Sequence, residues 1–167
     1  PNVINDLEVS PDGQRLAAGL GGSNGVRVWA RDTGDWRLAY EDIDYGGRVY
    51  GLSFARDGRL AATCEDGYVR LCDRDGGLAA KAKAPGGSDP YGIAFSPDGR
   101  RIAVGYTDST CVDVLDAASL TPLFAAETSG IDNGDLSSVA WSADGARLAA
   151  AGLYNAGGLW PIVVWDE

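Results

Sequence analysis

The sequence predicts an all-β fold made of four consecutive units of antiparallel strands, on two observations. A four-residue corner recurs as SPDG at 10–13, ARDG at 55–58, SPDG at 96–99 and SADG at 142–145. Around each corner the apolar residues stand two apart, the period of a strand with one buried face. No helical period of comparable strength occurs anywhere in the chain.

The elements follow in order within each unit. A first strand precedes the corner: DLEVS (6–10), YGLSFA (50–55), YGIAFS (91–96) and SSVAWS (137–142). Its alternating pairs are Leu7 and Val9, Leu52 and Phe54, Ile93 and Phe95, and Val139 and Trp141. The corner reads as a hairpin turn. Pro pre-sets φ at the second turn position, Asp suits the next, and Gly supplies the positive φ that closes a bulged turn. A second strand follows: RLAAGL (15–20), RLAATC (59–64), RIAVGY (101–106) and RLAAAG (147–152). Ala is a poor strand former in isolation, so its repetition here implies a neighbouring sheet packed very close. The third strands are VRVWA (26–30), YVRLCD (68–73), VDVLD (112–116) and IVVWD (162–166). A fourth strand follows in three units: RLAYED (37–42), LAAKAKA (78–84) and LTPLFAAE (120–127). The last unit stops at Glu167, after its third strand. Units of this length and strand count predict a β-propeller of about four consecutive four-stranded blades, the last lacking its outer strand. The blades are expected at roughly 4–43, 47–84, 89–128 and 135–167, in one region spanning 1–167.

EDGYVRLCD (65–73) and VVWDE (163–167) resemble the third-strand signature of the WD-repeat family. The full Trp–Asp pair stands in the last unit, Trp165–Asp166. The corresponding pairs are Trp29–Ala30, Cys72–Asp73 and Leu115–Asp116. The Gly–His pair that the family places before the first strand is missing, since the chain has no His; YGGRV, GGSDP and NGDLS stand there instead. The buried network that the family builds on that His is therefore expected to be absent. The resemblance covers essentially the whole chain and implies a propeller. In the family the missing outer strand is usually supplied by the chain's own start, but here the first strand begins at about Ile4, with only three residues before it. The blades then belong to a larger propeller, pair as four plus four in a homodimer, or close as a small ring. An unclosed set leaves sheet faces and strand edges exposed for pairing.

Composition narrows the function. The 167 residues carry 14 basic and 24 acidic side chains, a net charge of −10. This argues against a nucleic-acid partner and against docking on an anionic membrane. No apolar run reaches bilayer length, and no secretory signal is visible. The chain begins at Pro1 and has no Met, so it reads as processed or cut from something longer. Arg far exceeds Lys beside abundant Ala, Gly and Asp, a composition expected of a GC-rich bacterial genome. Cys64, Cys72 and Cys111 form no disulfide framework or zinc motif and read as small buried residues of a reducing cytoplasm.

Without His, His-based nucleophilic or proton-relay chemistry is excluded from the chain. The two lysines, Lys81 and Lys83, lie in a predicted outer strand facing solvent. GLGGSNG (19–25) lies between strands and reads as a hairpin loop, not a phosphate loop. A hydrolase reading would use carboxylates at the axis, with Asp6, Asp89 and Asp135 as candidates. The oxygen-rich Asp132-Asn133-Gly134-Asp135 lacks the alternating ligands and closing Glu of a calcium loop. No catalytic residue, metal or cofactor is expected.

The most distinctive loop is AGLYNAGGLWP (151–161), joining the second and third strands of the last unit where unit two has only EDG. It carries Tyr154 and Trp160, and large aromatics in loops are typical contact anchors. In the WD-repeat family, loops of this class lie on the face where partners usually bind. The resemblance puts Tyr45, Arg48, Tyr50, Asp66 and Tyr68 on that face, with Asp89, Tyr91, Asp108 and Asp132. The expected function is a non-catalytic protein-interaction or sensing scaffold, recognising a protein partner through these loops. The alternative is a propeller that binds or hydrolyses a small ligand with axial carboxylates. The resemblance also implies a larger bacterial protein in which such a module is joined to an enzyme domain.

Overall fold

The repeated corner folds as one recurring turn. The computed structural model describes residues 3–155, 157–159 and 161–166. In it, the amides of Gly13, Gly58, Gly99 and Gly145 donate to the carbonyls of Ser10, Ala55, Ser96 and Ser142 at 2.8–3.0 Å. All four glycines have positive φ, between 68° and 90°, where a side chain would be strained. In three corners the Ser hydroxyl donates to the Asp carboxylate at 2.6 Å, Ser10 to Asp12, Ser96 to Asp98 and Ser142 to Asp144. Those bonds, with a backbone amide two residues on, hold all three carboxyls below their ordinary pKa. Ala55 has no hydroxyl, and there Asp57 instead accepts from Arg59 Nε at 2.8 Å.

Four antiparallel sheets form, each with its strands in sequence order. The first holds β1 (Ile4–Val9), β2 (Arg15–Leu20), β3 (Val26–Asp32) and β4 (Asp35–Asp42). The second holds β5 (Val49–Phe54), β6 (Leu60–Cys64), β7 (Tyr68–Cys72) and β8 (Leu78–Lys83). The third holds β9 (Pro90–Phe95), β10 (Arg101–Tyr106), β11 (Val112–Asp116) and β12 (Pro122–Ala125). The fourth has three strands, β13 (Ser138–Trp141), β14 (Arg147–Ala151) and β15 (Val163–Asp166). No helix occurs among the described residues.

At each of the three sheet-to-sheet contacts, the earlier sheet presents a small-residue face and the later one a large-residue face. Between the first and second sheets, Ala17, Val26 and Val28 meet Leu52, Phe54, Leu60 and Ala62. Between the second and third, Ala61, Val69 and Leu71 meet Ile93, Phe95, Ile102 and Val104. Between the third and fourth, Ala103, Val112 and Val114 meet Leu148 and Ala150, with Val139, Trp141 and Trp165 packed beside them. Burial of these side chains on both faces of the interior sheets is the main stabilising term. The alanines of the second strands, Ala17, Ala61 and Ala103, are fully buried at these contacts, as their repetition required.

The innermost strands run side by side, β1 against β5, β5 against β9 and β9 against β13. Nothing comparable joins β13 to β1 among the described residues. Polar struts cross each gap. Asp6 accepts from the Leu52 amide at 2.8 Å, Ser53 Oγ from the Phe95 amide at 3.0 Å, and Trp141 Nε1 donates to the Ala94 carbonyl at 3.2 Å. Gly92 lets β9 reach β13 closely enough for its amide to donate to Ser137 O at 2.8 Å; a Cβ there would collide with that carbonyl. The topology gives the molecule two ends. The Asp–Gly corners gather at one, and the β2–β3 type loops and inter-sheet connections gather at the other.

Candidate functional site

The candidate surface is the loop end, where each β2–β3 type loop is tied to the connection entering its own sheet. In the second sheet the tie is Asp66. It accepts from the Gly46 amide at 3.1 Å and the Tyr68 amide at 3.2 Å. It also takes both guanidinium nitrogens of Arg70, at 3.0 and 2.6 Å. Burial by itself would raise the Asp66 pKa. The Arg70 and Gly46 hydrogen bonds outweigh it and hold the carboxyl well below the usual carboxylate range. In the third sheet Asp108 does the same work, accepting from the Ser88 amide at 2.8 Å and the Asp89 amide at 3.2 Å. In the fourth, Asn133 and Asn155 bond reciprocally, Nδ2 to carbonyl at 3.1 Å and amide to Oδ1 at 3.0 Å. In the second and third sheets, backbone amides of the Gly-rich pieces thus meet loop carboxylates near the place where the family has its His.

On this frame Tyr50 and Tyr91 stack across the boundary of the second and third sheets, centroids 5.0 Å apart and planes 30° apart. Tyr91 is 39% exposed. Arg48 lies beside Tyr50, its amide bonded to Glu65 Oε2 at 3.1 Å and its Nε 3.9 Å from the same oxygen. Partial burial and the charges of Asp89 and Glu65 raise the Tyr50 pKa against the pull of Arg48, so its hydroxyl stays protonated. Tyr68 is 36% exposed and sits under the Lys81 ammonium, 5.0 Å from the ring centroid. A hollow lined by Val3, Asn5, Gly21, Asn24, Arg48, Tyr50 and Tyr91 opens beside the tyrosine pair.

The remaining expected residues are distributed as follows. Asp89 accepts from Thr107 Oγ1 at 2.5 Å, and exposed Asp132 accepts from Asn133 Nδ2 at 2.9 Å. Tyr154 is half-buried against the core between the third and fourth sheets, while Leu153 and Leu159 of its loop are about 70% exposed. Trp160 lies outside the described residues. Tyr45 needs correction as a surface contact: only 4% of it is exposed. Its ring lies 4.2 Å from the Arg70 guanidinium carbon, and its hydroxyl finds no hydrogen-bond partner among the described residues. DIDYGG (42–47) is polar enough to read as a surface loop, and Ile43 and Asp44 do stay exposed, but the Tyr45 ring turns inward and fills the gap between two sheets.

Sequence reasoning missed the buried charges. Arg70 is 1% exposed and Asp113 5%, at matching positions of β7 and β11. Asp113 accepts from the Tyr106 hydroxyl, which in turn accepts from the Gly86 amide at 3.2 Å. Burial and the bond to Asp113 push the Tyr106 pKa far up. The one signal for both was a charged residue inside an otherwise apolar third-strand run, VRLC and VDVL.

The axial carboxylates do not converge. Asp6 is the strut to Leu52, Asp89 is engaged by Thr107, and buried Asp135 accepts from the Ser137 and Leu153 amides at 3.2 and 3.1 Å. Among the described residues no three His, Cys, Asp or Glu side chains group closely enough to hold a metal ion. What the loop end offers is a rigid surface of aromatic faces, the accessible guanidinium of Arg48 and several fixed carboxylates.

Comparison with known proteins adds three findings. The family profile described as "WD domain, G-beta repeat" matches residues 1–30, 43–73 and 83–112, together more than half of the chain. Tricorn protease homolog 1 of Streptomyces coelicolor is 33% identical over 104 residues, a match covering 62% of this chain and 10% of that protein. A chain in the crystal structure of a mitotic checkpoint complex superposes with a TM-score of 0.73 at 25% identity, covering 90% of this chain and 44% of that one. The match thus spans under half of either relative.

Proposed function

The chain belongs to the WD-repeat family, and from that premise we propose that it is a non-catalytic protein-interaction module whose recognition surface is the loop end of its blades. WD-repeat propellers serve in general as interaction scaffolds, and the finer assignment rests on one observation. The Tyr50–Tyr91 stack stands at the loop end on two rigid sheets, flanked by Arg48. Tyr and Arg are the residue types that dominate binding energy at protein interfaces, and rings already fixed lose little entropy on binding. The net charge of −10 favours a protein partner over nucleic acid or an anionic membrane. The engagement of Asp6, Asp89 and Asp135 as structural acceptors supports recognition over hydrolysis.

The module works within a larger bacterial protein, a reading supported by the short share of the Streptomyces relative that it matches. Its end sheets are completed by blades of the same kind. The free thiols Cys64, Cys72 and Cys111 support a cytoplasmic setting. The test replaces Tyr91, at the loop end, or Asp144, at the corner end, with benzoylphenylalanine and irradiates both proteins in lysate of the source organism. Protein adducts from position 91 and not from position 144, lost when Tyr50→Ala is added, are the expected result. Equal adducts from both ends would overturn the assignment.

A further inference from the structure

The repeat shows which rings the fold does not require. The position two residues before Leu7, Leu52, Ile93 and Val139 is held by Asn5, Tyr50, Tyr91 and Ser137. The first and fourth sheets form with a shorter polar residue there, so strand pairing has no need of a tyrosine. Tyrosine stands only in the two middle sheets, where the rings stack with centroids 5.0 Å apart. Gly51 makes the stack possible. A Cβ at that position would collide with the Tyr91 carbonyl and push β5 away from β9. Tyr91 stays exposed and Tyr50 half-buried. The stack is built by two sheets that each have a neighbour on both faces, so it belongs to the interior of the repeat array.

The charges around the stack are segregated along the strands. At the corner end, Arg15, Arg56, Arg59, Arg74, Arg100 and Arg147 stand among the aspartates of the turns. At the loop end the balance is acidic. Asp42, Asp44, Glu65, Asp89, Asp108 and Asp132 lie in its loops, connections and strand ends. Set against them, among the described residues of those segments, are Arg48 and Lys83. Arg48 is already drawn toward Glu65, with its Nε 3.9 Å from Oε2. After burial, the charges of Asp89 and Glu65 are what raise the Tyr50 pKa, so both carboxylates bear on the stacked rings.

We propose that the loop end binds a basic polypeptide segment, with an arginine or lysine head group of the partner laid on the Tyr50–Tyr91 rings beside Asp89 and Glu65. The inference rests on the reading of the loop end as the recognition surface and gives that partner its chemistry. The negative face of an aromatic ring and a rim of carboxylates attract the same ion, and a guanidinium plane can continue the stack. An acidic or phosphorylated segment would meet repulsion from the whole rim, with Arg48 and Lys83 to set against it. The acidic rim also steers a basic partner to this end of the molecule rather than to the corner end.

The experiment measures the fluorescence anisotropy of two labelled octapeptides, an Arg–Gly repeat and a Glu–Gly repeat, titrated with the 167-residue chain at about 0.15 M salt. The Arg–Gly peptide is expected to bind and the Glu–Gly peptide is not. Tyr91→Ala should weaken binding by about threefold to tenfold, the range for a cation on an accessible ring. Two double variants remove equal charge from opposite ends: Glu65→Gln with Asp89→Asn at the loop end, and Asp35→Asn with Asp75→Asn at the corner end. The first should weaken binding by at least about fivefold more than the second, because the pull of a charge fades within a Debye length. Circular dichroism checks that every variant keeps its strands. Equal losses from the two pairs would mean diffuse attraction to an acidic protein and overturn the proposal. Unchanged binding in Tyr91→Ala also overturns it. An Arg–Gly peptide that does not bind, or a Glu–Gly peptide that binds more tightly, overturns the basic partner but leaves the loop end as recognition surface, which the crosslinking test decides separately.

Discussion

Removing Asp66 isolates a charge that the fold cannot hydrate. Arg70 is 1% exposed, and its two hydrogen bonds to Asp66, at 3.0 and 2.6 Å, neutralise it. The rings of Tyr45 and Tyr68 lie beside the guanidinium as well. In Asp66→Ala the guanidinium stays buried without its counter-ion, a defect that costs about 3–5 kcal/mol. Such a loss is a large fraction of a domain's total stability and lowers Tm by on the order of 10 °C for a chain of this size. The double variant Arg70→Met, Asp66→Ala removes both charges and should recover most of the loss, since an apolar replacement of a buried pair is often nearly neutral. Urea unfolding followed by circular dichroism measures all three proteins. A loss under about 1 kcal/mol for Asp66→Ala is the value of a surface ion pair and would refute the argument. The pair also sets a pH dependence. The folded-state pKa of Asp66 lies below its ordinary 3.8, so its contribution is full above that value and disappears as pH falls toward the lower, folded one. The wild type should therefore lose stability more steeply than the double variant below about pH 4.

Three further outcomes are expected. Tyr45→Phe removes a buried hydroxyl that has no hydrogen-bond partner among the described residues and should raise stability by up to about 1 kcal/mol, read as a higher urea midpoint at unchanged slope. Gly92→Ala places a Cβ against the Ser137 carbonyl and strains the bond that joins the third and fourth sheets. It should cost about 1–3 kcal/mol and speed amide exchange at position 92. In thiol titration at pH 8, Cys64 and Cys72 should stay silent until the protein unfolds, because burial pushes their pKa values up to about 11 and about 12. The half-buried Cys111 should react first.

The strands and corners were legible because their signals are local. A period of two and an Asp–Gly turn need no knowledge of the neighbouring sheet. The buried charges were not legible for the opposite reason. Arg70 in YVRLC and Asp113 in VDVLD look like solvent-facing residues of half-buried strands. Their burial depends on sheets that pack on both sides, and their partners arrive across a turn or from an adjacent strand. Tyr45 failed in the same way, since a polar connection with two glycines gives no hint that its one ring turns inward. Of the loop end, the sequence offered the residue types. The stacking of Tyr50 on Tyr91 is invisible to it, because the contact spans two repeats and depends on how closely two inner strands approach.

The unequal loops bear on how this chain can change. Ala17 pairs with Val28, Ala61 with Leu71, Ala103 with Val114 and Ala149 with Val164, all at matching positions of the second and third strands. Yet the loop between them runs from three residues at 65–67 to eleven at 152–162. Strand pairing is therefore indifferent to loop length. Insertions at the loop end alter what the molecule touches without disturbing how it folds. Recognition can drift through whole added segments while the core positions stay fixed, and an engineer could graft a foreign binding loop between β14 and β15 on the same grounds.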